Sequence, residues 1–438
     1  MNKEISPIKF QEIINDLNNQ KFTDGLKKLD LLSKQYPNNH LINKLFASLY
    51  LKKMDWNNAI KYYEKLLISE KEKFKVYANI GVAFFRLGKI NKSIEAFEDS
   101  IKDNSNFELS YNNLAISYLE IGMYEKAINS FISTLKLNKN NFFAQKNLIN
   151  IFNLVKPNNI NEHYLININN RINKIGNEHK IKNFNKLDGI KKILSESYDI
   201  VENLKSSLLF DETQIYRKNS KDLNCKRHFR IFNTFNVIPK FCFSCYKIQI
   251  NLKNVVDLIK LYFFFDNLHL ENNNIRKCMV ETRNNIKGNY KGYIYCEGLI
   301  EAKIILKEIN KVINKDNFHN FKIIIKHGCS EFYKSYPKFE KINFDNDQEI
   351  KYNKDWDIIE KKIDKEEPVR LDVDKKVWSK SIQGVNLSDI LIIKNWINYA
   401  DAIGDQSYKI FYDKTIKSNF ITKILQSQLN FRKKRSNF

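Results

Sequence analysis

The chain has 438 residues, of which 43% are hydrophobic and 13% aromatic, enough to fill the cores of two or three domains. Its formal net charge of +23 points to an anionic partner such as nucleic acid or a membrane surface. That reading is discounted because Asn, Ile, Phe and Tyr abound alongside Lys while Gly and Pro number only 12 and 6, the pattern of AT-rich coding. Met1–Phe10 carries no apolar signal core, and the most apolar run, Val255–Phe265, is broken by Asp257 and Lys260, far short of the roughly 20 residues of a membrane span. Six cysteines without a dense framework read as reduced thiols, so a cytoplasmic protein with no membrane span is expected.

In chain order, the first element is a repeat. Gly88 and Gly122 are 34 residues apart, as are Phe97 and Phe131, Tyr77 and Tyr111, and Gly81 and Ala115. Earlier copies of the pattern fall on Ala47, Tyr50, Ala59 and Tyr63, then on Gly25 and Leu29, with Pro37 as a terminal proline. Ile80, Gly81 and Phe84, then Leu114, Ala115 and Tyr118, are placed on first helices, and Gly88 and Gly122 at the turns. Ser93, Phe97 and Ser100, then Ala127, Phe131 and Thr134, are placed on second helices. Small residues let helices approach, and the aromatics fill the opposite holes.

This pattern resembles the tetratricopeptide repeat (TPR) family, a helix–turn–helix repeated every 34 residues. The resemblance covers 6–156: repeats at 6–39, 40–73, 74–107 and 108–141, the first degenerate at Ile13 and Asp16, and a capping helix with Leu148 and Phe152. It implies a solenoid whose concave groove, lined by first helices, binds an extended peptide or partner helix. Asn79, Asn113 and Asn147 fall at one repeat position on that face, where an amide both donates to and accepts from a peptide backbone. The ladder resembles that of the O-linked N-acetylglucosamine transferase superhelix, whose catalytic domain has no counterpart downstream. Lys44, Lys75, Arg86 and Lys146 would make the groove basic and suit an acidic partner. In so Asn-rich a chain, a phase coincidence is the plain alternative.

Residues 157–235 read as a linker and a helical segment, with Ile190, Ile193, Leu194, Tyr198, Val201 and Leu204 at helical spacing before an irregular Phe232–Pro239. In 236–342 the period alternates: strand Cys245–Ile250, helix Leu252–Leu268, strand Arg276–Arg283, turn Asn284–Gly288, strand Lys291–Cys296, helix Glu297–Ile313, strand Phe321–Lys326. This βαββαβ order predicts a ferredoxin-like α+β domain with both helices on one face of an antiparallel sheet. The whole is therefore an α+β multidomain chain, an all-α solenoid followed by that domain and C-terminal helices.

The RNA-recognition motif shares this topology, and Lys291-Gly-Tyr-Ile-Tyr-Cys296 partly matches its third strand. Tyr293 and Tyr295 would share a face where bases can stack, with Tyr246 as a weak counterpart on the first strand. Strand aromatics are more often core. Cys242 and Cys245 form a C-x-x-C, the spacing of zinc and redox sites, with His228 and His327 as further ligands. In a regular strand an odd spacing sends the two thiols to opposite faces, which favours buried structural cysteines. His327-Gly-Cys-Ser-Glu331 lacks an orienting third group. No P-loop, H-E-x-x-H or Rossmann fingerprint occurs, so no cofactor is expected and no catalytic set is assigned.

Residues 343–438 begin with a charged segment and end in helices. Asn386-Leu-Ser-Asp389 predicts an N-cap for an apolar helix running to Ile403, with Gly404 as its stop, and this helix must pack on something. The tail Arg432-Lys-Lys-Arg435 reads as a solvated basic terminus. Residues from about 210 on loosely resemble C-terminal regions attached to similar repeats in bacterial proteins. The sequence thus favours an adaptor that captures a protein segment, ahead of RNA binding by the sheet and of an enzyme with a thiol or metal centre.

Overall fold

A computed structural model describes residues 7–18, 22–36, 39–158, 163–179, 181, 187–202, 204, 208, 210–217, 223–283, 286–315, 321–366 and 384–411. Pro37 and the tail at 432–435 lie outside them. The chain divides into two compact units, Met1–Ala144 with Asp364–Val373, and Gln145–Ile363 with Asp374–Phe438. The division falls one turn into a helix, Phe142–Ile151, that the periodicity alone assigns to the end of the solenoid.

The first unit is a series of helical hairpins: α1 (Pro7–Asn18) with α2 (Phe22–Gln35), α3 (His40–Lys52) with α4 (Trp56–Leu66), α5 (Lys73–Arg86) with α6 (Ile90–Asp103), and α7 (Glu108–Glu120) with α8 (Tyr124–Leu137). The turns at Gly88 and Gly122 have φ of 72° and 73°, a left-handed conformation that costs any residue with a Cβ about 1–2 kcal/mol. In two of these hairpins a small residue packs with a ring. A Cβ on Gly81 would lie 2.7 Å from the Phe97 ring. Ala47, Ala59 and Tyr63 are buried together in the preceding repeat. Where the interface carries Ser instead of Ala, the buried hydroxyls are satisfied. Ser93 donates to the Gly81 carbonyl at 2.8 Å, and Ser100 donates to the Phe74 carbonyl at 2.7 Å and lies 2.7 Å from the Ser110 hydroxyl. Polar groups at that depth would otherwise be destabilising by about 1–3 kcal/mol each.

The second unit continues from α9 (Phe142–Ile151) with α10 (Tyr164–Glu178), α11 (Leu187–Glu202), β1 (Gln214–Arg217), α12 (Cys225–Phe235), β2 (Cys245–Leu252), α13 (Val255–Asn267), β3 (Arg276–Val280), β4 (Tyr290–Glu297), α14 (Leu299–Lys315), β5 (Lys322–His327), α15 (Trp356–Glu366) and α16 (Leu387–Ile403). The five strands form one antiparallel sheet in the order β1-β3-β4-β2-β5. Three elements differ from the sequence expectation. The stretch read as a linker contains α10, helix α12 runs from Cys225 into the first half of the expected irregular Phe232–Pro239, and β1 adds an edge strand. β1 spans only Gln214–Arg217, too short for a periodicity to register.

Direct cross-strand partners share a face of the sheet. Ile215, Cys278, Val280, Ile248, Ile250 and Ile294 point to the side packed by α13 and α14. Gly292 on β4 lies under α13, where a Cβ would come within 2.3 Å of Leu261. Helix α16 packs with α10, α11 and α13 and reaches β1 and β3. It begins with a full capping box between Asn386 and Asp389 and stops at Gly404, as its sequence predicts. Trp396, Ile393 and Tyr399 are fully buried, each worth about 1.5–3 kcal/mol. The Trp396 indole N–H donates to the Thr213 carbonyl at 2.8 Å and the Tyr399 hydroxyl to the Glu281 carbonyl at 2.9 Å.

Two arginines are buried on the helix-packed side with opposite surroundings. Arg217 is engaged on every side: Nε donates to Asp266 at 2.8 Å, and Nη2 to Asp389 at 2.6 Å and to the Tyr262 hydroxyl at 2.7 Å. Arg276 is 0% exposed, yet among the described residues only Nη1 finds a partner, the Phe265 carbonyl at 2.8 Å, and Nε and Nη2 find none. Burial pushes the Arg276 guanidinium down to about 10. A buried cation so poorly compensated contributes little, and an apolar residue of similar length removes its desolvation cost. Arg276→Met is expected to leave the thermal midpoint unchanged or to raise stability by about 1 kcal/mol; a clear drop in the midpoint would show that the single Phe265 bond outweighs the burial cost.

Candidate functional site

The first helices α5 and α7 carry Asn79 and Asn113 at the same repeat position, both half-buried. Neither side-chain amide has a hydrogen-bond partner among the described residues. The Ser117 hydroxyl donates to the Asn113 backbone carbonyl at 3.0 Å, leaving the Asn113 amide unused. Asn147, the third member of the sequence ladder, lies on the far side of the unit division, within α9. The basic residues assigned to the groove have differing surroundings. Lys44 pairs with Glu70 at 3.2 Å, and exposed Lys75 with Glu72 at 2.7 Å. Lys146 belongs to the second unit, where Asp211 at 2.5 Å and Glu212 at 2.9 Å neutralise it and raise its ammonium above the usual range against the opposing effect of burial. Exposed Arg86 has no ion-pair partner among the described residues and is the free cation of the set in the first unit.

The sheet separates the three tyrosines. Tyr293 and Tyr295 stand opposite Gln249 and Lys247, whereas Tyr246 stands opposite Cys296 and His327 on the helix-packed side. Tyr246 is buried and stacked on His327, with ring centroids 4.5 Å apart. It is therefore no part of a surface shared with Tyr293 and Tyr295; period two gives each strand's faces but not which face of one strand joins which of the next. The other two rings are already occupied. Lys277 lies 5.3 Å from the Tyr293 centroid and Lys247 lies 5.2 Å from that of Tyr295, and Tyr293 is only 6% exposed. A base would have to displace an ammonium to stack there. The glycine of the Lys291-Gly-Tyr match answers to the packing of α13 on β4.

The C-x-x-C is divided by local structure. Cys242 lies in the single 3-10 turn Lys240–Phe243, buried among Phe232, Ile238, Phe332 and Phe339, and burial pushes its thiol far up. Cys245 begins β2, in register with Glu297, and burial pushes its thiol up as well. His228 stacks on Phe241 at 5.2 Å, and both His327 ring nitrogens lie 3.0 Å from backbone carbonyls, those of Phe339 and Phe243. Among the described residues no group of three or more His, Cys, Asp or Glu is placed to hold a metal ion. Likewise none of their helices is long and apolar enough to cross a membrane.

The tetratricopeptide repeat family model matches residues 74–105 and 109–141. Among solved structures, MamA is 20% identical, with a TM-score of 0.30 and coverage of 32% of this chain and 81% of that one. The first TPR of Spaghetti (RPAP3), bound to an HSP90 peptide, is 23% identical, with a TM-score of 0.25 and coverage of 26% and 89%. The TPR2B domain of yeast Sti1 in complex with an Hsp70 peptide is 22% identical, with a TM-score of 0.22 and coverage of 23% and 79%. No curated protein matches the chain.

Proposed function

We propose that this chain, whose residues 74–105 and 109–141 are tetratricopeptide repeats, is a protein-interaction scaffold that holds an extended peptide in the groove lined by α5 and α7. The observation that carries this reading is the pair of unused amides, Asn79 and Asn113, at one position of consecutive first helices. An unpaired carboxamide on a half-buried face loses hydration without gaining a partner, and a peptide backbone supplies both a carbonyl and an N–H. Arg86 would favour an acidic segment. The second unit supports a ferredoxin-like reading: β5-β2-β4-β3, with α13 and α14 as the crossovers, is the order such a domain takes, and β1 extends it by one edge strand. A cytoplasmic location accords with the free cysteines.

The test compares wild type with an Asn79→Ala/Asn113→Ala variant in affinity capture from native lysate, with and without nuclease. A defined protein partner should survive nuclease and be lost roughly tenfold or more in the variant, since two backbone hydrogen bonds of about 1 kcal/mol go together. Because the amides bond to no side chain or backbone group among the described residues, stability should change by no more than about 0.5 kcal/mol. Equal capture by both proteins would remove the groove from the explanation.

A further inference from the structure

The sheet ends at β5, whose outer edge has no strand beside it among the described residues. The phase of the ladder shows which groups that edge presents. The Gly328 amide donates to the Cys245 carbonyl at 2.8 Å, and hydrogen-bonded pairs recur at every second residue of an antiparallel ladder. Lys322, Ile324 and Lys326 therefore bond to β2, in register with Asn251, Gln249 and Lys247. Ile323 and Ile325 aim their N–H and C=O groups away from the sheet, and neither has a backbone partner there among the described residues. Three consecutive isoleucines suit a strand buried on both faces. Here Ile323 and Ile325 stay half-buried, although the residues opposite them, Ile250 and Ile248, are fully buried, and Ile324 is 37% exposed. Ile325 also lines a cleft of about 440 Å³ beside α14, together with Leu306, Phe344, Lys303, Lys307 and Lys311. No carboxylate lines it among the described residues. The three lysines recur every four residues, so they form one stripe on α14, where like charges destabilise a helix. Lys303 donates to the Phe344 carbonyl at 2.7 Å. Lys307 and Lys311 are exposed, with no ion-pair partner among the described residues.

We propose that β5 accepts an extended acidic segment of another protein as a further strand of the sheet. The outward amides and carbonyls of Ile323 and Ile325 supply the main-chain bonds, and the cleft beside α14 supplies selectivity, the division of labour in strand addition. Residues of the added strand that pair with Ile323 and Ile325 share their face of the sheet, the side packed by α13 and α14. On that face apolar side chains meet Ile325 and Phe344, and carboxylates meet Lys307 and Lys311. A second copy of this chain is the poorer occupant. Antiparallel pairing of two β5 strands about Ile324 sets Lys322 of one copy opposite Lys326 of the other. Like charges directly opposite are destabilising, and lysines on an edge strand commonly block such self-pairing. An acidic strand turns the same lysines into attraction. This site is separate from the solenoid groove and stands whether or not that groove holds a peptide.

The test is fluorescence anisotropy of the full chain with a labelled peptide of alternating Ile and Asp. The same peptide N-methylated at alternate residues, and one with Lys in place of Asp, serve as controls. The protein variants are Lys307→Glu/Lys311→Glu, Ile323→Pro and Asn79→Ala/Asn113→Ala. A Kd of about 100 μM or tighter is expected for wild type with the acidic peptide. N-methylation and the Lys307→Glu/Lys311→Glu change should each weaken it roughly tenfold, and the Lys peptide should not bind. Ile323→Pro removes only an outward donor, so it should abolish binding with the ladder to β2 kept; if that variant fails to fold, the N-methylated peptide makes the same test on unaltered protein. The Asn79→Ala/Asn113→Ala variant should bind as wild type does. No binding up to roughly 1 mM overturns the proposal. So does binding indifferent to N-methylation and to the lysine reversal. Loss of binding in the Asn variant places the peptide in the solenoid groove instead. Self-association of wild type that Ile323→Pro removes gives the edge to a second copy.

Discussion

Arg217→Met is expected to destabilise the second unit by about 3–5 kcal/mol, the range for breaking a buried ion pair by removing one partner. Three groups depend on that guanidinium. Asp389 is fully buried and already supports the N-terminus of α16 through its capping box, and it also accepts from the Tyr262 hydroxyl at 3.0 Å. Asp266 accepts from Arg217 and from the Gly384 amide at 2.9 Å. Without the cation two carboxylates face each other across a dry interior, and Met cannot donate to either. Against the effect of burial, the Asp389 charge holds Arg217 ionised well above its usual range, while burial in turn pushes the Asp389 carboxyl up despite the guanidinium beside it. Thermal unfolding checks the prediction, with Asp389→Asn added to the Arg217→Met background. The double variant should recover part of the loss, because one orphaned charge is gone while the amide oxygen still accepts at the cap. A single-variant loss under about 1 kcal/mol would mean that apolar burial alone anchors α16.

The second large effect is at Gly328. Its φ of +55° lies in the left-handed region, and a Cβ there would come 2.5 Å from the Phe339 ring. That ring cannot yield easily: it stacks on His327 at 4.1 Å and meets Phe243 edge-on at 5.1 Å. Gly328→Ala should therefore combine a conformational cost of about 1–2 kcal/mol with overpacking of about 1–3 kcal/mol. Gly122→Ala separates the two, because its φ is +73° and nothing among the described residues lies within 4 Å of the added carbon. It should show the conformational cost alone. Chemical denaturation measures both, and equal losses at the two sites would show that the aromatic cluster adapts to the extra methyl. Because Cys329 follows Gly328 and accepts from Lys247, Gly328→Ala should also change the rate at which Cys329 is alkylated.

Much of the architecture is written locally. The 34-residue recurrence of Gly88 and Gly122 marks turns that require a left-handed backbone, and small residues such as Gly81 and Ala47 mark where helices close on rings. The cap at Asn386–Asp389 and the stop at Gly404 delimit α16 to the residue. Alternating apolar periods located β2 to β5 and the two helices between them within a few residues. The short strand β1 and helix α12 escaped because four residues hold too little period and because Asn224, in a left-handed conformation, offers no side-chain cap.

What sequence by itself determines about this protein is the set of properties carried by neighbours along the chain: repeat phase, helix ends, and the two faces of each strand. Only the tertiary structure decides which faces are joined. Tyr246 belongs with His327 and not with Tyr293, Lys146 is neutralised by Asp211 from a distant segment, and Lys247 meets Lys326 across a strand boundary. The physical reason is that sheet register, ion pairing and burial are set by residues far apart in the chain. A side chain's charge state and availability follow from that packing, whereas local periodicity records only which way the side chain leaves the backbone.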